Sequence, residues 1–328
     1  MPPFFRPLAV ALLGAALLAP ALSRAQAADS YPNRPIKLLV PWAAGGATDA
    51  LARLIGAKLT ARLKQPVVVD NKGGAGGTIG TSAFTKEKPD GYNLLMATSS
   101  ANVAGPYLYA KPGFDPVKDF TPIAYVAMIP NVLEVSSASR FKTAQDLIAE
   151  AKKNPGTLTY GSGGNGSSQH LSSSLLQKVA GIRITHVPYK GSGPALTDLM
   201  GGQVDFILDT GSLGHVKSGN LKALAVASSK RLPALPDVPT FAELGYKDMI
   251  ASAWYGVLAP AGLPKPVQDK LNTEINAVLK DPDTRKQIEM TLGGIVSDGE
   301  SPAWFGGFIQ SELKRYAEIV KLSGAKAE

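Results

Sequence analysis

A chain of 328 residues with 45% hydrophobic residues and no cysteine is long enough to form two lobes around sizeable cores, without disulfides, thiolate metal ligands or a cysteine nucleophile. The formal net charge is +8, yet lysines and arginines are scattered and never form the basic run that tracks a phosphate backbone. This argues against nucleic-acid binding and for only a mild attraction of anions.

The first segment reads as an export signal. Arg6 supplies a short basic region, Leu8 to Leu22 is apolar but interrupted by Gly14 and Pro20, and Ala25-Gln26-Ala27 has the small-x-small form of a cleavage site. The apolar run is shorter than the ~20 residues of a membrane span. Cleavage is expected near Ala27, which places the mature protein in the periplasm. Ile36 to Pro41 then reads as a buried strand, followed by the turn Ala43-Ala44-Gly45-Gly46. A helix opens at Thr48, with Leu51, Leu54, Ile55 and Leu59 at helical spacing. Val67 to Val69 is a second strand, Asn71 to Gly80 a glycine-rich loop, and Asn93 to Ala97 a third strand.

The pattern recurs in mid-chain. Leu158 to Tyr160 reads as a strand, Gly161 to Gly166 as a turn, and a helix opens near Ser167 with Leu171, Leu175, Leu176 and Val179 on one face. Further strands are expected at Ile184 to Pro188, Val204 to Leu208 and Leu221 to Ser228. The chain ends in helices: Val267, Leu271, Ile275, Val278 and Leu279 form one stripe. Ser301-Pro302 caps a second helix carrying Phe305, Phe308, Ile309, Leu313, Tyr316 and Val320. Strand–helix alternation of this kind specifies α/β sheets. Two similar units with no flexible linker between them imply strands that cross between lobes, with Thr121 to Val126 and Leu221 to Ser228 as candidates. The expected division is 1–27 signal, 28–124 with 226–328 as lobe one, and 125–225 as lobe two.

The two glycine-rich turns carry the chemistry. A helix N-terminus presents unsatisfied N–H groups and partial positive charge, and glycine lets a ligand approach the backbone. One such turn spans Ala43 to Asp49; the other spans Gly161 to Ser168, where Ser162, Ser167 and Ser168 add hydroxyls. Two facing turns fit a carboxylate held between lobes. Asp49 would repel a bare phosphate, so it either caps its own helix or bonds a donor on the ligand. The second turn also matches G-x-G-x-x-G at Gly161, Gly163 and Gly166, but no acid follows about 20 residues on, and dinucleotide binding is rejected. No P-loop and no G-x-S-x-G elbow is present. The histidines stand apart without a metal-ligand spacing, so neither a metal nor a cofactor is expected. His170, in the first turn of the second helix, either bonds the ligand or orients the loop; His186 and His215 are read as structural.

At this point the residues resemble a known family. Tyr31-Pro32-Asn33-Arg34-Pro35-Ile36, Val40 to Asp49, Gly74-Ala75-Gly76-Gly77, Gly161 to Ser167 with His170-Leu171, and His186 to Gly191 are similar to the Bug solute-binding proteins of tripartite tricarboxylate transporters. So are Pro194 to Leu199, Gly202 to Asp205, Pro239 to Tyr246 and Trp254-Tyr255-Gly256. The resemblance covers nearly all of the mature chain. It implies a two-lobed type II periplasmic-binding fold, in which both turns grip a ligand carboxylate, partly through water. The residues it carries over are Ala44, Gly45, Thr48 and Asp49, together with Ser162, Gly164, Ser167 and His170. Three places depart from the family pattern: Trp42 where Phe is usual, Asn71-Lys72-Gly73, and Asp209-Thr210-Gly211. Trp42 could stack on an aromatic ring, cover an aliphatic chain, or simply pack in the wall.

The resulting expectation is a non-enzymatic, monomeric periplasmic protein that binds a small dicarboxylate or aromatic acid and passes it to membrane transporter subunits. A ligand-binding part of a signalling system and a secreted hydrolase using a serine, His170 and Asp209 are the alternatives.

Overall fold

Short apolar strands alternating with longer helices assemble into two mixed sheets. The computed structural model describes residues 31–325, and the expected export signal lies outside the described residues. The first sheet has the order β11-β4-β10-β3-β1-β2, built from β1 (Ile36–Val40), β2 (Val67–Asn71), β3 (Asn93–Thr98), β4 (Phe120–Pro130), β10 (Ser252–Pro260) and β11 (Ile295–Val296). The second has the order β7-β6-β8-β5-β9, from β5 (Val132–Ser136), β6 (Thr159–Ser162), β7 (Thr185–Pro188), β8 (Phe206–Asp209) and β9 (Leu221–Val226). Within each sheet a parallel group of three strands is extended by an antiparallel strand from elsewhere in the chain. β1 runs parallel to β2 and β3, and β10 antiparallel to β3. β6 runs parallel to β7 and β8, and β5 antiparallel to β8.

The helices follow from apolar spacing and end chemistry. α1 (Ala47–Leu63) buries Leu51, Ile55 and Leu59 on one face. α2 (Thr78–Phe84) is short, and α3 (Ala144–Lys153) opens with a reciprocal Thr143/Asp146 capping box. α4 (Ser168–Ala180) is capped by Ser167, whose hydroxyl accepts from the His170 N–H. α5 (Ser192–Met200) follows Gly191. α6 (Lys265–Lys280) and α7 (Pro302–Ser323) close the chain, and the Ser301 hydroxyl caps α7 by accepting from the Trp304 N–H.

Each sheet has its own core. Leu38, Val40, Ile55 and Leu59 meet Leu271 and Ile275 in the first; Leu133, Leu147, Tyr160, Leu176 and Phe206 meet in the second. A further cluster joins them at one place, where Leu171 of α4 packs with Leu39, Trp254 and Phe305 of the first lobe; elsewhere the cores are distinct, which lets each lobe act as a body.

The change of sheet does not fall inside the expected crossing segments. β4 pairs with β10 from Phe120 to Pro130, while Val132 already pairs with β8 and β9, so the passage is at Asn131. On the return, β9 ends at Val226 and β10 begins at Ser252. The chain between them delivers Phe241 and Met249 to the second core. The passages are bonded to one another: Asn131 N–H donates to Ala251 O (2.9 Å), Ala227 N–H to Asn131 O (2.8 Å) and Ala251 N–H to Ala227 O (3.0 Å). The reason for the difference is physical. The run Ile123 to Ile129 is apolar without a break, and nothing in it marks where its hydrogen-bond partners change. We propose residues 31–130 with 252–325 as one lobe and 132–251 as the other.

Candidate functional site

Both glycine-rich turns sit at the carboxyl ends of parallel strands, β1 and β6, where α/β sheets leave a crevice. They face each other across a cavity lined by Trp42, Ala43, Gly46, Ala47, Thr48, Asp49, Thr98 and Ser100 from the first lobe. Ser168, Gln169, Ser192 and Thr210 line it from the second, with Tyr255 on β10.

In the first turn, Gly46 caps α1 in an extended conformation without a side-chain bond, which leaves the α1 N-terminus open to the cavity. Asp49 turns back on its own loop: its carboxylate accepts from Gly45 N–H at 3.1 Å and pairs with Arg53 at 3.0 Å. Burial pushes the Asp49 carboxyl up. The bonds from Arg53, the Gly45 amide and Asn71, with the Arg53 charge, outweigh it and hold the group below the usual carboxylate range. Ala44 and Gly45 lie on the exposed rim.

The second turn is held from within. Gly164 N–H donates to Ser162 Oγ at 3.0 Å, and that hydroxyl shares a 2.6 Å hydrogen bond with His186 Nε2. Gly166 N–H donates to His170 Nδ1 at 3.0 Å, so that nitrogen is unprotonated, and His170 N–H donates to Ser167 Oγ. The imidazoles of His170 and His186 stack with centroids 4.4 Å apart, and Tyr160 stacks on His186 at 4.8 Å. Burial takes both histidines down to about 4, aided at His186 by the charge of His170. Ser162, Gly164, Ser167 and His170 therefore spend these donors and acceptors within the turn and on His186. Behind this scaffold, Ser168 and Gln169 form the wall of the cavity.

Gln169 links the wall to the interior, since its Nε2 donates to Ser192 Oγ (3.3 Å) and to Asp209 Oδ1 (2.6 Å). Asp209 is fully buried and also accepts from Gly211 N–H at 2.9 Å. Ser192 opens α5, so a third helix N-terminus reaches the cavity. Thr210 Oγ1 and Tyr255 OH meet at 2.8 Å and join the lobes. Trp42 is 8% exposed, lines the cavity and keeps its Nε1 buried without a partner.

The lobes are in contact. Ala43 N–H donates to Lys190 O at 3.2 Å and Tyr109 OH to Asn165 O at 2.8 Å. A Cβ on Gly193 would lie 2.1 Å from Ala44 O, and one on Gly211 would lie 2.6 Å from Ala47 N. The cavity encloses about 20 Å³, room for about one water, so an organic acid can enter only after the lobes part.

The arrangement can hold an anion without a cation. α1, α4 and α5 point their N-termini inward, hydroxyls come from Thr48, Thr98, Ser100, Ser168, Ser192, Thr210 and Tyr255, and among the described residues no lysine or arginine lines the cavity. It is poorly arranged for hydrolysis. His170 is engaged with the Gly166 amide, Asp209 with Gln169 and Gly211, and the Ser162 hydroxyl is fully buried. Among the described residues, no three acids and histidines cluster as metal ligands.

Of the expected positions, Trp42, Thr48, Asp49 and Ser168 line the cavity, Asp209 stands one bond behind it, and Ser162, Gly164, Ser167 and His170 support it. Thr210, noted as part of a departure from the family pattern, lines it as well, whereas sequence reasoning missed Thr98, Ser100, Gln169, Ser192 and Tyr255. The hydroxyls at Thr98 to Ser100 and at Gly191-Ser192 each follow a strand, which is a readable signal; Tyr255, in mid-strand, offers none.

Residues 51–324 match the family described as tripartite tricarboxylate transporter family receptor. Protein BugT of Bordetella pertussis is 38% identical over 325 residues, covering 97% of this chain and 98% of BugT. The solved periplasmic binding protein BugD superimposes with a TM-score of 0.86 at 38% identity, over 91% of this chain and 100% of that one. The R. palustris protein Rpa4515, solved with adipate, does so with a TM-score of 0.86 at 35% identity, over 90% and 99%.

Proposed function

The chain belongs to the receptor family of tripartite tricarboxylate transporters, and from that premise we propose that its cleft closes on a small linear diacid, with one carboxylate facing the N-termini of α1, α4 and α5. The family is one of substrate-binding receptors and not of enzymes, and its members are periplasmic binding proteins. The type II two-lobed fold and the carboxylate-binding role in transport follow from that membership.

The observation that carries the ligand class is the meeting of those N-termini with a ring of hydroxyls in a cavity free of lysine and arginine. Hydrogen bonds to a charged group are worth about 1.5–3 kcal/mol each. Several of them, after the cost of association, reach the roughly 8 kcal/mol of micromolar affinity. The adipate in the R. palustris relative makes aliphatic diacids the first class to test. We further propose that residues 1–27 are removed on export, that the mature protein acts as a monomer, and that its closed form delivers the ligand to the membrane subunits.

A thermal-shift series with diacids of increasing length, their monoacids and their diamides tests this reading. A diacid at a hundred times its Kd should add about 2.7 kcal/mol of stability, the monoacid less and the diamide almost nothing. No response to any carboxylate, or an equal response to the diamide, overturns it.

A further inference from the structure

The second lobe buries a pair of carboxyl groups that the anion site does not use directly. The register of β5 with β8 sets Val132 opposite Asp209 and Glu134 opposite Ile207, so Glu134 and Asp209 are diagonal neighbours on one face of the sheet. Both are 0% exposed. Asp209 accepts from Gln169 Nε2 and Gly211 N–H. Glu134 accepts from the Ser212 hydroxyl on one oxygen, and its other oxygen is buried without a partner.

These two acids fix both ends of the turn Asp209 to Ser212. That turn places Thr210 in the cavity against Tyr255 of the other lobe and Gly211 against Ala47 at the start of α1. We propose that Glu134 is a positioning residue for the anion site, bracing through Ser212 the turn on which the lobes close. The inference rests on the reading of the cavity as the ligand site.

The groups around Glu134 support a neutral acid. Asp209 from β8 is the charged group that acts on it; burial first, and then Asp209, push Glu134 well above its ordinary value, against the bond from Ser212. From β9, Ala223 stands opposite Glu134, while neighbouring Lys222 pairs with Val135 and donates its amine to Ser139 O. α5 touches β5 with Ala195, Leu196 and Leu199 buried, and its carboxyl, Asp198, accepts from Tyr189 OH. α4 contributes the amide of Gln169. Beyond Ser212, the short helix Leu213–Lys217 carries His215 and Lys217, and the Lys217 amine donates to Met290 O. Ionising Glu134 would set two negative charges side by side behind a site that must receive a third.

The sign of the pH effect follows. A group whose folded pKa lies above its unfolded value binds more protons in the folded state. The stability it contributes is complete below the ordinary value of 4.5 and is lost as pH rises toward the folded value. The test measures the unfolding of the ligand-free protein from pH 7 to 9, above the range in which the buried histidines His170 and His186 change stability, and adipate binding by calorimetry at pH 7, for wild type, E134Q, E134A and S212A. Wild type should lose stability with rising pH, and E134Q, a neutral near-isostere, should flatten that slope. E134A should weaken adipate binding about tenfold through the loosened turn, the loss expected for one buried hydrogen bond, and E134Q should restore most of it. S212A should keep the wild-type pH slope while weakening adipate binding several-fold. An E134Q slope equal to wild type, or a loss of binding in E134Q as large as in E134A, overturns the proposal. Absence of adipate binding in wild type would instead count against the ligand reading, and the pH slopes would still decide the state of Glu134.

Discussion

The two histidines behind the second turn work only as neutral rings. His170 Nδ1 must be free to accept the Gly166 N–H, and His186 shares a hydrogen bond with Ser162. Both fall from an ordinary 6.5 to about 4, so the unfolded chain binds more protons between those values. The stability these rings contribute is complete above pH 6.5 and declines as pH falls toward 4, by up to about 3 kcal/mol for each ring at 1.36 kcal/mol per pH unit. Thermal unfolding between pH 7 and 4 should follow this decline. His170→Asn, whose amide oxygen can accept the Gly166 N–H but does not titrate, should flatten part of it; an unchanged curve would mean that the ring is not buried neutral. Thr48 and Ser167 separate binding from folding. Thr48 lines the cavity, so Thr48→Val should weaken a bound diacid about tenfold with little change in melting temperature. Ser167 caps α4, so Ser167→Ala should cost about 1 kcal/mol of stability and affect affinity less. Calorimetry beside unfolding curves checks both.

Three helices matter for the place at which each begins. α1, α4 and α5 start at Ala47, Ser168 and Ser192, and each follows a strand whose carboxyl end faces the cavity. The glycines opposite these starts are small because backbone passes within contact distance. Gly193 and Gly211 meet Ala44 and Ala47 across the lobes, and neither has a positive φ, so the constraint is steric and belongs to closure. Gly193→Ala should fold normally, because parting the lobes relieves the overlap with Ala44 O. Yet it should weaken ligand binding by about a hundredfold or more, on the scale of losing several charged hydrogen bonds at once. Normal affinity in Gly193→Ala would show that a ligand does not need the contact seen between these turns. Much at this scale was legible: the helix starts near 47 and 167, the apolar stripes, and the Ser301-Pro302 cap were readable because each rests on neighbours within one or two turns. The antiparallel strands β5 and β10 were not, because their partners lie far away in the chain.

The whole molecule is two lobes, each with its own sheet and main core and sharing the cluster at Leu171, joined at Asn131 and at the return from Ala251 to Ser252. A cavity of about 20 Å³ cannot admit a diacid, so the lobes must open for entry, and a ligand that bonds both turns favours the closed state over the open one. Small-angle scattering should give a ligand-free radius of gyration larger than that of the closed form, shrinking on addition of a diacid that binds. A radius unchanged while calorimetry reports saturation would exclude hinge closure.

The sequence by itself determined the α/β class, the two turns at helix starts, the absence of cysteine chemistry, and the resemblance that the family match upholds. All of these are written in local pattern: an apolar strand, a glycine-rich turn, a capping serine. The tertiary structure decided which atoms of those turns remain available. Ser162 is claimed by His186, 24 residues away, and Gln169 by Asp209, 40 residues away, and no local pattern encodes such pairings. It also moved the crossing to Asn131, brought the α5 N-terminus to the cavity, and set Thr210 against Tyr255. A strand's sequence states that it will be buried, whereas its partners, and so the side chains that finally meet at the ligand, follow from how the sheets close over one another.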